Sequence, residues 1–255
     1  MADPSSYSRA IALSRKIALA VGTPLFYRER AREVALSHTL FDNEPLIAAA
    51  MAIVEAQGDS PGHGMNHVRK VAIDSGALML IEAGALPERA LHRQVLLAQV
   101  AGLFHDIRRE KRSHARQGAK AAERLLAPFP LNAGERADIA QAIRNHEAFH
   151  PCRDGAAKSA QMLSDCLYDA DKFRWGPDNF TDTLWAMAIP GGLPLEALLP
   201  RFGSGMEKIE SIRESFRTAT GKRYGPDFID RGLTIGRRLQ AALTENATGE
   251  TPCRH

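Results

Sequence analysis

His105 and Asp106 close the apolar run Ala101-Gly102-Leu103-Phe104. An unpaired carboxylate is costly to bury, so Asp106 needs an arginine, a backbone amide or a metal ion as its partner. Three more positions carry related chemistry. His67 lies in HGMNHVRKVA, His146 in AIRNHEAFH and Asp171 in LYDADKF. Imidazole nitrogens and carboxylate oxygens suit divalent transition metals or magnesium. A cation shared by His67, His105, Asp106 and Asp171 would neutralise Asp106 and give His105 a task. The four positions are far apart in sequence, so facing helices must bring them to one cavity.

Helical periodicity runs through most of the chain. Helices are expected over 5–21, 26–40 and 43–57, then from a Ser60-Pro61 start to about 83. The next opens at Pro87 and carries Leu91, Val95, Leu96 and Val100 toward His105. Ser113 is expected to cap a helix over 114–127, which Pro128 and Pro130 stop. Asn132 caps one running toward His146, and another spans about 156–172 before Gly176-Pro177. Shorter helices near 178–188 and 204–219 and a last one near 226–245 complete the reading. No alternating strand pattern appears. The expected fold is all-α: a single helical bundle, with an N-terminal helical extension (1–55), a core (56–175) and C-terminal helices packed on it (176–255), one globular unit overall.

The 255 residues carry 33 basic and 30 acidic side chains, a net charge of +3. That balance argues against nucleic-acid binding by bulk charge. Three cysteines, none in a CxxC pair, give no disulfide framework. No leader pattern or transmembrane run is visible, so a cytoplasmic location is expected.

In order and context, the motifs His67, His105-Asp106 and Asp171 resemble those of the HD superfamily of metal-dependent phosphohydrolases. HVRKVA is similar to the first motif of that family, AGLFHDI to the apolar run into its His-Asp doublet, SHARQGAKAAERLL to the helix that often follows, and YDADKF to its closing Asp motif. The likeness covers roughly 60–175. It departs at His63-Gly64, where near relatives often carry His-Asp, and at Lys70, where many have arginine. The resemblance implies an HD-domain bundle that holds one divalent ion (Mn, Fe, Ni, Co or Mg) through His67, His105, Asp106 and Asp171. It further implies hydrolysis of a small phosphate mono- or diester, a nucleotide or related molecule, by metal-activated water. Asp106 would also orient that water. No membrane or nucleic-acid partner is implied, and no oligomeric state.

His146, His114, Arg109 and Lys172 are the candidate substrate contacts; Arg174 is a similar candidate. His146 and Glu147, adjacent on a helix, would point about 100° apart, which favours one ion over two. The basic run 108–120 is otherwise a solvated face. Cys166 reads as a small buried hydrophobe, His92 and His150 as surface, and Trp175 and Trp185 as core packing or an aromatic wall. Two alternatives use the same residues: an HD-type di-iron oxygenase, with His114 or His146 as added ligands, and a nucleotide-sensing module without turnover.

Overall fold

The computed structural model describes residues 4–58, 62, 64–149, 157–192 and 194–248. Among these residues the chain is all helix and turn, with no strand. The helices are α1 (Pro4–Val21), α2 (Leu25–Glu29), α3 (Ala31–Asn43), α4 (Pro45–Glu55), α5 (Met65–Glu82), α6 (Glu88–Phe104), α7 (His114–Leu125), α8 (Ala133–Arg144) and α9 (Lys158–Phe173). A π-helical segment (Asn179–Thr183) leads into α10 (Leu184–Ala188), and α11 (Leu199–Glu210) and α12 (Ala219–Thr248) complete the chain.

The central pair is α5 against α6. Ten consecutive residues of α6, Val95–Phe104, are buried, and so are all nine of Val71–Met79, with Val68, in α5. Helices this apolar on every side belong inside a bundle. They cross closely because Gly102 has no side chain: a Cβ there would stand 2.5 Å from the Cα of Ala72. α9 packs against α5, α6 and α8, while α3 and α4 cover the other side. α8 begins at a capping box, with Asn132 Oδ1 accepting the Glu135 N–H and Glu135 accepting that of Asn132.

Several boundaries differ from the sequence expectation. The 26–40 helix is two helices, α2 and α3, meeting at Arg30. Ser113 does not cap α7 through its side chain; it sits in the left-handed region at φ 56°. The 204–219 helix is instead α11, ending at Glu210, and α12 starts at Ala219 and runs through Pro226. A proline costs one backbone bond to the preceding turn, and packing of α12 on α1, α9 and α11 carries the helix past it. The Ser60-Pro61 start, His63, His150, Cys152 and Cys253 lie outside the described residues.

α1 and α12 join the two ends of the chain. Leu25 N–H donates to Asp227 Oδ2 at 2.8 Å, and Arg231 donates to the Val21 carbonyl at 2.7 Å. The indole N–H of Trp185 donates to Ser14 Oγ, and its ring meets Tyr7 edge-on. Trp185 is thus core packing.

Candidate metal centre

His105 and Asp106 follow the last turn of α6 directly, so the helix that buries its whole surface delivers both to the interior: His105 is fully buried and Asp106 nearly so. α5 brings His67 from its first turn, and α9 brings Asp171 from its last. His67 Nε2 lies 3.2 Å from His105 Nε2, 3.4 Å from Asp171 Oδ1 and 3.8 Å from Asp106 Oδ2. His105 Nε2 lies 3.3 Å from Asp106 Oδ2 and 3.7 Å from Asp171 Oδ1. His67, His105 and Asp171 therefore meet in one group, and Asp106 approaches both imidazoles from a second group that it shares with His105.

The other Asp106 oxygen faces a second group. His114 Nε2 and His146 Nε2 each stand 3.5 Å from Oδ1 and 3.2 Å from each other. Arg109 donates to His114 Nε2 at 2.8 Å and lies 3.6 Å from Asp106 Oδ1. α8 ends at Arg144, before His146, so His146 and Glu147 are free of the helical 100° rule. Glu147 Oε1 comes within 2.9 Å of His114 Nδ1. The expectation that Glu147 would turn away from this cavity rested on a helix that does not reach it.

The ring orientations have a physical cause. His105 Nδ1 donates to the Gly102 carbonyl at 2.7 Å, and His146 Nδ1 to that of Ile143 at 2.6 Å. Carbonyls only accept, so each Nδ1 carries hydrogen. The guanidinium of Arg109 only donates, so His114 accepts at Nε2 and gives its Nδ1 hydrogen to Glu147. In each case Nε2 is aimed at Asp106, as in histidines whose far nitrogen is fixed for metal binding.

Burial pushes the His67 imidazole down to about 4, and burial with His146 takes His114 to about 4 as well. Burial opposes a proton on His105, but the carboxylates of Asp106 and Asp171 outweigh it and raise this imidazole above its ordinary value. Burial likewise opposes ionisation of Asp171; Lys172, His67 and His105 reverse that and hold the carboxyl well below the usual range. The set fits a divalent cation: His67, His105 and Asp171 form one candidate group, and His105, Asp106 and His146 another.

Lys172 is buried, donating to Asp171 Oδ2 at 2.5 Å and to the His146 carbonyl at 3.0 Å. Arg174 is also buried, paired with Asp74 and Asp178 and donating to the Tyr27 hydroxyl. Of the basic run 108–120, only Arg109 lines the cavity. Sequence reasoning missed Asp169, two residues before Asp171 and so on the opposite face of α9. It accepts the N–H groups of Arg217 and Thr218 at 2.8 Å and the Thr218 hydroxyl at 2.7 Å. The donor cluster opens into a cavity of about 690 Å³ that continues between the 179–188 segment and α11. Trp175 lines it, half-buried, so one tryptophan is core and the other is wall.

The HD domain family matches residues 64–174. A crystal structure of a predicted HD superfamily hydrolase from an uncultured Thermotogales bacterium is similar over 82% of this chain and 97% of its own, at 22% identity and a TM-score of 0.48. No curated protein matches the chain. No helix among the described residues is long and apolar enough to cross a membrane.

Proposed function

We infer, from a chain whose residues 64–174 are an HD domain, that the protein is a metal-dependent phosphohydrolase acting on a small phosphate mono- or diester. One observation supports this above the others: buried imidazoles and two carboxylates gather their donor atoms in two adjoining groups that share His105, with Asp106 between the histidine pairs. His67, His105, Asp106 and Asp171 would hold one divalent ion, manganese, iron, nickel, cobalt or magnesium. Such an ion, when bound, polarises a phosphoryl group and lowers the pKa of water.

The chain's own residues supply the rest. Asp106 is placed to orient a water and accept its proton. Lys172 fixes Asp171 with Oδ1 toward His67 and His105, which makes it a positioning residue as well as a cavity wall. Arg109 has a third of its side chain exposed, and its fork suits phosphate oxygens. His114 and His146 line the same cavity and reach the ester from the side opposite His67.

A second reading has its own observation. Asp106 Oδ1 faces His114 and His146 while Oδ2 faces His67 and His105, so these histidines with Asp106 would be the residues to hold a second cation. The oxygenase alternative follows that arrangement. Arg109 favours one ion, since its guanidinium already brings positive charge to the second group. Elemental analysis of protein purified without chelator, with a phosphatase screen over nucleotides and phosphodiesters before and after EDTA, tests both readings. The expected result is one ion per chain and EDTA-sensitive phosphate release. Two irons without phosphate release would move the oxygenase to the front.

A further inference from the structure

The cavity is far larger than phosphate requires. At about 690 Å³ it is in the range of sites that enclose a drug-sized ligand. Its composition changes along its length. The donor cluster and the cationic side chains of Arg109, Lys172 and Arg174 lie at the metal end. Beyond them the described lining is dominated by Phe180, Leu184, Met187, Leu198, Phe202 and Met206. Neutral polar side chains there are few, Asn179 and Thr183. Arg201 and Lys208 also line it and are exposed.

Three further features belong to this apolar part. The segment Asn179–Thr183 is π-helical, a costly local geometry found disproportionately at functional sites, and Asn179, Phe180 and Thr183 all line the chamber. Gly205 of α11 also lines it, and a Cβ added there would meet nothing within 4 Å. A glycine inside a helix weakens it, and here it leaves this exposed part of the wall without a side chain. At the mouth Phe149 is 61% exposed and held at φ 65°, a conformation bulky side chains rarely adopt. Met187, also in the lining, is 50% exposed.

Resting on the hydrolase reading, we propose that this chamber binds the organic part of the substrate, and that this part is one large apolar group: the substrate is a phosphate monoester of a long-chain or polycyclic alcohol. This departs from the nucleotide implied by family resemblance. A nucleoside brings a base edge and a ribose that must be hydrogen-bonded when buried, and the apolar described lining offers little to do so. An alkyl group needs only removal from water. In the reaction the oxygen of water bonds to phosphorus, the ester P–O bond breaks, and the alcohol leaves with a proton while phosphate is released.

The test uses the full chain loaded with manganese. kcat and KM are measured for methyl, butyl, octyl and dodecyl phosphate, below their micelle concentrations, and for AMP and dAMP. Each methylene buried should improve kcat/KM by roughly two- to fourfold, mostly through KM, until the chamber is filled. Octyl phosphate should then exceed both nucleotides by well over tenfold. Gly205→Leu should shrink the chamber, so that the octyl-to-methyl ratio of kcat/KM drops at least tenfold. A series flat in chain length, or AMP preferred over octyl phosphate, overturns the proposal. If no ester is hydrolysed, the hydrolase reading falls and calorimetry with the matching alkylphosphonates decides the chamber alone. Affinity that tightens with chain length and is lost in G205L supports it; affinity independent of length overturns it.

Discussion

Asp106 touches both donor groups, so at the residue scale its loss should be felt twice. Asp106→Asn preserves shape and removes charge; it is expected to retain less than a tenth of the metal and less than a thousandth of the turnover, with circular dichroism unchanged. Normal metal content with near-normal turnover would dismiss Asp106 as a ligand. His105 and His67 should behave oppositely toward protons. Asp106 and Asp171 raise His105 above its ordinary value, so it keeps its proton at pH 5.5, whereas His67, at about 4, is already neutral there. Metal binding near pH 5.5 should therefore release about one proton per ion, read by calorimetry in buffers of different ionisation enthalpy, and affinity should climb as pH rises through the His105 value. The metal-free protein should show the converse: a group with a raised folded pKa contributes stability in full below its unfolded value of about 6.5 and loses it as pH rises through the folded one. Release of two protons, or none, would contradict this pairing. That His67, His105, Asp106 and Asp171 come near one another was legible in sequence because four motifs occur in order. The roles of Glu147 and Asp169 were not, since one depended on where α8 ends and the other on which face of α9 meets α12.

At the scale of elements, the spacing of α5 and α6 sets the distance between His67 and His105. Gly102→Ala places a methyl against the Ala72 backbone, which has no flexible end to yield. We expect a loss of about 1–3 kcal/mol from overpacking and metal affinity weaker by tenfold or more, although no ligand has changed. Unaltered affinity would mean that helix spacing does not control the site. Asp169 ties α9 to the start of α12. Asp169→Ala leaves two backbone N–H groups and a hydroxyl unmatched, and about 2–3 kcal/mol should be lost on chemical denaturation. Long, strongly periodic helices such as α5, α6 and α9 were readable from apolar spacing. In the stretch 178–219 the short helix near 178–188 was readable but its π turn was not, and the helix expected over 204–219 lies at Leu199–Glu210, because glycines and a proline there blur the apolar period.

For the whole molecule, a cation that binds only the folded chain adds stability by mass action. At a hundredfold excess over Kd the gain is about 2.7 kcal/mol, or roughly 5–10 °C in Tm for a chain of this size. EDTA should remove that increment in a thermal melt. A Tm indifferent to manganese would leave the donor cluster without a resident ion. The pairing of α1 with α12 has another consequence, for the order in which the chain is made. Leu25 and Val21 find their partners at Asp227 and Arg231, some two hundred residues later. At about 5–20 residues per second, the ribosome needs roughly 10–40 s to deliver the last helix after the first. Throughout that interval the core can close, but Tyr7 and Ala10 have no α12 to rest on. α1 is thus made long before the helix it docks on, and until α12 arrives that face of α1 is open to a chaperone.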